Sequence, residues 1–142
     1  MIEVHYIDKQ EVPGLNPELL VYWLNETIIN EGFECGEVNL IFCSDDHLLE
    51  LNQTYLDHDY YTDIITFDYS YGATLKGDLF VSVDRVFDNS VRFNEVFLTE
   101  LRRVSVHGVL HLCGYKDKSS VEQRLMRSKE NYYLKKYVSR ET

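Results

Sequence analysis

Residues 107–117 read His107-Gly108-Val109-Leu110-His111-Leu112-Cys113-Gly114-Tyr115-Lys116-Asp117, an apolar helical run that ends in a glycine and an acidic residue. On a helix His107 and His111 project from one face, about 6 Å apart along the axis, so both can reach one ion. Gly114 is the residue type that ends a helix in a left-handed conformation and turns the chain back on itself. A side chain three residues later then returns toward the histidines, and that side chain belongs to Asp117.

The reading extends outward in both directions. Downstream, Ser119-Ser120 supplies a cap for a last helix from Val121 to about Val138. Upstream, Asn94 is the expected cap of the long helix that reaches about Cys113, and Asp84–Phe93 is a short helix before it. The segments Thr62–Tyr69 and Leu79–Val83 are β-branched and aromatic, two strands expected to form a hairpin through the Gly72 and Gly77 region. Ser44-Asp45 caps a short helix carrying Leu48, Leu49 and Leu51, and Glu37–Cys43 alternates as a strand with Val38, Leu40 and Phe42 on one face. Asn16-Pro17 opens a helix through about Asn30 with an apolar stripe of Leu19, Leu20, Trp23, Leu24 and Ile28, closed by Gly32. Residues 2–7 make the first strand. The order βαβαββααα predicts an α+β fold, a four-stranded mixed sheet packed with helices.

A chain of 142 residues that is 44% hydrophobic suits one compact domain over 1–142. No apolar run reaches 18 residues and the first residues do not read as a secretory signal, so cytoplasmic localisation is expected and no membrane partner. Cys35, Cys43 and Cys113 are odd in number and scattered, which fits reduced thiols.

Imidazole and carboxylate are ordinary zinc ligands, and three protein ligands leave a fourth coordination position open, the pattern of a catalytic centre. The cofactor expected is one divalent ion, zinc first, with His107, His111 and Asp117 as its ligands. A carboxylate as third ligand shifts the preference slightly toward harder ions such as manganese or magnesium. Cys113 lies two residues beyond His111, about 200° around the helix, and is expected to point away. The spacing H-x3-H-x2-G-x2-D is that of metzincin proteases, a zincin-like metal helix near the C-terminus, but Gly108 replaces the glutamate base that follows their first histidine. His5 and His47 read as structural or exposed residues and His58 as a solvated loop residue. Asp63 and Asp78 read as strand-start carboxylates bonded to turn amides.

Three ordered blocks carry a family resemblance. HGVLHLCGYKD (107–117) resembles the H-G-x-L-H-L-x-G-Y-D-H signature of the YbeY family. LNQTYLDHDYYTDIITF (51–67) resembles its L-N-x-x-Y-R-x-x-D-x-P-T-D-V-L-S-F block, and Gly77-Asp78-Leu79 its G-D-[IL] strand start. The resemblance implies a single-strand-preferring, metal-dependent endoribonuclease that acts in ribosomal RNA processing and ribosome maturation, with ribosomal RNA or ribosomal particles as partners and no DNA. Asp117 stands where the family usually has a third histidine, Lys116 where it has aspartate, and Leu56 where it has an arginine implicated in activity.

The net charge of −10 opposes binding to a polyanion, but it is unevenly spread. Residues 1–101 hold 4 Lys/Arg and 20 Asp/Glu, a balance of −16, while residues 102–142 hold 10 and 4, a balance of +6. One end of the molecule is therefore suited to face an anion. Lys116 and Lys118 flank Asp117 and are the expected phosphate-binding residues, partly replacing the cation lost at Leu56. Two rival functions follow from the same residues. One is a non-catalytic ribosome assembly factor with a structural metal, and the other is a metalloprotease, which the absence of a glutamate at Gly108 argues against.

Overall fold

Local side chains set most of the element boundaries. A computed structural model describes residues 1–8 and 10–141. In chain order the elements are β1 (Ile2–Tyr6), α1 (Pro17–Asn30), β2 (Glu34–Cys43), α2 (Asp45–Leu56), β3 (Ile64–Asp68), β4 (Thr74–Ser82), α3 (Val83–Arg92), α4 (Phe97–Leu112) and α5 (Ser120–Glu141). The carboxamide of Asn16 accepts the Leu19 N–H at 3.1 Å, and the hydroxyl of Ser44 accepts that of His47 at 3.1 Å. At the start of α5 the Ser119 hydroxyl accepts the Glu122 N–H at 3.1 Å while Glu122 accepts the Ser119 N–H at 2.9 Å. That reciprocal pair is a capping box, and such caps each stabilise a helix by about 1 kcal/mol.

Three departures from expectation have a clear physical reason. β2 starts at Glu34 rather than Glu37, because Glu34 and Cys35 pair with Thr74 and Leu75 before a register shift between Cys35 and Val38. That shift interrupts the alternation by which a strand is read from sequence. β4 spans Thr74–Ser82 rather than Leu79–Val83, so Gly77 lies inside the strand opposite Val38 and Asp68 and only Gly72 is in the hairpin turn. Asn94 does not cap α4. It takes a left-handed φ of 53°, its N–H bonds the Val91 carbonyl at 3.2 Å to close α3, and α4 begins after Val96 with no side-chain cap. Asparagine serves helix starts and left-handed helix exits alike, and here the exit takes it.

The sheet order is β1-β2-β4-β3, with β1, β2 and β4 parallel and β3 antiparallel at the edge. The larger core lies on one face, where Val38, Leu40, Leu79 and Val81 meet Trp23 and Leu24 of α1, Leu101 and Leu110 of α4, and Tyr133 of α5. α4 is buried almost all round, as expected of a central helix. Between Leu101 and Leu112 only Arg103, His107 and His111 escape full burial, one residue per turn at intervals of four. This stripe is the part of α4 left over for chemistry.

Candidate metal centre

The end of α4 is shaped to return the chain. Gly114 has a φ of 101°, its N–H bonds the His111 carbonyl at 3.0 Å, and the Tyr115 N–H bonds the Leu110 carbonyl at 3.1 Å. This pair of bonds is the Schellman motif, which satisfies the last carbonyls and reverses the backbone. Asp117 is thereby carried back over the stripe. His107 Nε2 lies 2.9 Å from His111 Nε2 and 3.2 Å from Asp117 Oδ2, and His111 Nε2 lies 3.3 Å from the same oxygen. Donors bound at about 2.0–2.2 Å to one tetrahedral ion stand roughly 3.3–3.5 Å apart, so the triangle is close to the size a zinc ion requires.

Both imidazoles are fixed from behind. His107 Nδ1 donates to Glu130 Oε2 of α5 at 2.7 Å, and His111 Nδ1 donates to the Tyr115 carbonyl at 2.8 Å. With the protons on Nδ1, both Nε2 lone pairs face the Asp117 carboxylate. Three acceptors aimed at one point repel one another unless a cation sits between them, so the donor set fits a divalent ion by its own chemistry. Glu130 is 6% exposed and also accepts Arg103 Nη1 at 3.1 Å. Burial alone would raise its pKa, but the hydrogen bond and charge of His107, with Arg103 and Arg127, lower it. For His107 burial opposes the charged form, yet the Glu130 hydrogen bond and the charges of Glu130, Asp117 and Asp63 raise its pKa.

His107 and Asp117 line a cavity of about 1130 Å³ between α3, α4 and α5. Asp63, Glu100 and Glu130 lie in its wall, and Arg92, Arg124, Arg127 and Lys135 bring positive charge to it. Burial raises the pKa of both Asp63 and Glu100, partly opposed by the charge of His107 on the first and of Arg103 on the second. Asp63 Oδ2 also accepts Asn89 Nδ2 at 3.2 Å, and Asn89 Oδ1 in turn accepts Arg92 Nη2 at 2.7 Å.

The structure brings His107, His111 and Asp117 together and leaves the other predicted residues apart. Lys116 and Lys118 are exposed on the turn and do not line the cavity. Leu56 is 42% exposed at the end of α2, also outside the cavity wall. Cys113 packs against the core, His5 bonds Asn39, His47 stacks on Phe80, and His58 stacks on Tyr60. Asp78 accepts Asn39 Nδ2 at 3.0 Å between neighbouring strands. Position 108 faces the sheet: a Cβ there would stand 2.6 Å from Ile64 Cδ1 and 3.2 Å from Leu79 Cδ2. The glycine lets α4 approach β3 and β4, and a side chain at this position would have to displace the Ile64 and Leu79 side chains.

Sequence reasoning missed Glu130, which orients His107, and the arginines around it. A signal for Glu130 exists: it sits among Met126, Tyr133 and Tyr137 on the buried face of α5, where a carboxylate needs a partner.

Fold and centre together define an α+β protein with three convergent metal-type donors at the edge of an open cavity. The chain belongs to the family described as Endoribonuclease YbeY, whose pattern it matches over residues 2–138. It is 50% identical over 133 residues to the Endoribonuclease YbeY of Flavobacterium psychrophilum, covering 94% of this chain and 91% of that protein. It is 51% identical over 113 residues to that of Cytophaga hutchinsonii, covering 79% of each. The solution structure of TM1509 from Thermotoga maritima superposes with a TM-score of 0.68 at 30% identity, over 99% of this chain and 91% of that one.

Proposed function

We propose that residues 1–142 form one metal-dependent endoribonuclease domain that cuts single-stranded RNA in ribosomal RNA processing and ribosome maturation. Its partners are ribosomal RNA or ribosomal particles in the cytoplasm, and DNA is not a substrate. The observation that carries the reading is the convergence of His107 Nε2, His111 Nε2 and Asp117 Oδ2 beside a large cavity that Arg92, Arg124, Arg127 and Lys135 also line, in a member of this family.

These three residues would hold one divalent ion, zinc in the first instance, and the ion would supply Lewis acidity toward a phosphate oxygen. The residues around it bind and orient. Glu130 and the Tyr115 carbonyl keep both Nδ1 protons in place, so that the Nε2 lone pairs stay turned inward. Arg92, Arg124 and Arg127 engage phosphates along the cavity, as guanidinium groups do through paired donors. Phe93, 60% exposed, and Tyr132, 48% exposed, lie in the same wall and offer stacking faces for unpaired bases, which favours single strands over duplex. RNA brings its own 2′-hydroxyl as a nucleophile, which DNA lacks.

Zinc-loaded protein incubated with a structured RNA and with casein, beside a His111→Ala control, tests this. RNA cut in its loops, intact casein and an inactive control are expected. Bound zinc with uncut RNA leaves the assembly-factor reading, and cleaved casein the protease.

A further inference from the structure

Glu31 touches none of the three donors and does not line the cavity, yet two hydrogen bonds join it to His111. It follows the last residue of α1, and its side chain is 8% exposed. The Tyr115 phenol donates to Glu31 Oε1 at 2.6 Å, Lys129 Nζ donates to Oε2 at 3.2 Å, and the Tyr133 phenol also donates to Oε2. The backbone carbonyl of the same Tyr115 takes the Nδ1 proton of His111. One carboxylate thus ties α1 to α5 and to the turn that carries Asp117.

We propose that Glu31 is a positioning residue of the metal centre: by anchoring Tyr115 it holds the carbonyl that selects the Nδ1–H form of His111 and aims Nε2 at His107 and Asp117. The proposal rests on reading the three donors as a metal centre. The turn needs such an anchor. Gly114 adds no side-chain contact, since nothing lies within 4 Å of where its Cβ would be. Besides the Schellman bonds and the packing of the Cys113 and Tyr115 side chains against the core, the Tyr115 phenol is a directional bond from the turn to the end of α1. A buried carboxylate is costly unless its lone pairs are filled, and the donors filling these come from the turn and from α5, on both sides of the centre. The opposing view, that Glu31 only fastens α1 to α5, predicts lost stability with His111 unchanged.

The test begins with metal-free protein, reading the protonated nitrogen of His111 by long-range ¹⁵N NMR. Wild type should carry the proton on Nδ1, and Glu31→Ala and Tyr115→Phe should each move a measurable fraction to Nε2. Zinc Kd, by competition with a chromophoric chelator, should rise about tenfold in each, the scale typical of partners that orient a ligand. Glu31→Gln keeps acceptor oxygen and should lose less. The double variant Glu31→Ala/Tyr115→Phe should be no weaker than the weaker single, since both break one linkage. Leu48→Ala, on the opposite face of the sheet, controls for stability and should leave Kd unchanged. Unchanged protonation and Kd in a folded Glu31→Ala protein, or additive losses in the double variant, overturn the proposal. If wild type binds no zinc, the metal-centre reading fails while the NMR comparison still decides whether Glu31 orients His111.

Discussion

One face of the sheet buries Leu40, Leu79 and Val81 beneath α1, α4 and α5, while the other carries a smaller cluster centred on Cys43, Leu48 and Ile65 beneath α2 and leaves Tyr55, Tyr60 and Tyr61 exposed. Every donor of the candidate centre is carried by the densely packed side. Coordination needs side chains held to within about 0.5 Å, and only interlocked packing with satisfied polar groups holds them so. The thin face carries Leu56, 42% exposed at the end of α2. The contrast teaches that the three convergent donors sit on the side where α4 is locked between sheet and helices, while the thinner side offers no comparable cluster among the described residues.

The sharpest way to break this comparison is to remove a donor. His111→Ala or Asp117→Ala should weaken zinc binding at least about 100-fold by chelator competition, whereas Asp117→His should retain it, since both side chains donate to zinc. Retention of full affinity by Asp117→Ala would remove it from the ligand set. Gly108→Glu comes next. It restores the protease pattern in sequence but drives a side chain into Ile64 and Leu79, so urea unfolding should show a loss of about 3 kcal/mol and casein should stay intact. A stable, proteolytic variant would show that α4 sits less tightly on the sheet than described.

Core truncations compare the two faces directly. Leu110→Ala should cost about 3–4 kcal/mol, and Leu48→Ala about 2 kcal/mol because the thinner layer collapses more readily around the gap. Equal costs would erase the distinction. A smaller effect lies at the surface: Arg124→Glu with Arg127→Glu should lower RNA affinity about tenfold and flatten its salt dependence, since each phosphate contact on a single strand contributes about 0.7 to the slope. Lys116→Glu with Lys118→Glu should flatten it less, being outside the cavity. The reverse order would move the RNA path onto the turn.

The smallest effect concerns acid. Burial alone would raise the pKa of Glu31, but hydrogen bonds from Tyr115, Tyr133 and Lys129, with the Lys129 charge, outweigh it and lower it. A carboxylate depressed on folding contributes stability that is complete above its ordinary pKa and is lost as pH falls through the folded value. The stability gap between wild type and Glu31→Gln should therefore narrow as pH falls below the ordinary carboxylate range and through the depressed folded value in denaturant titrations. A gap independent of pH would mean that the charge of Glu31 contributes nothing.

What could be read without coordinates was local. Asn16-Pro17, Ser44 and Gly114 each announce their element ends through bonds to residues within four positions, and the element order followed from them. His107, His111 and Asp117 were legible because one helix and one turn bring them together. Glu130 and Glu31 were not, since they reach the centre across α5 and α1, and partners distant in sequence leave no spacing to recognise. What they do leave is a carboxylate on an apolar helix stripe: Glu31 continues the line of Leu20, Leu24 and Ile28, as Glu130 does that of Met126 and Tyr133. Asn94 failed for the opposite reason, being local but ambiguous.

Lys129 and Glu130 are neighbours on α5, one reaching toward Glu31 and the other toward His107, and α5 follows α4 in the chain. During synthesis at about 5–20 residues per second, the 22 residues of α5 take roughly one to four seconds to add. Until Lys129 and Glu130 are added, about midway through that interval, the Nδ1 of His107 has no Glu130 to bond and the tie from Lys129 to Glu31 is missing. If the three donors hold a metal ion, the site would gain its full rigidity only once α5 is in place, after the ligands themselves have been made.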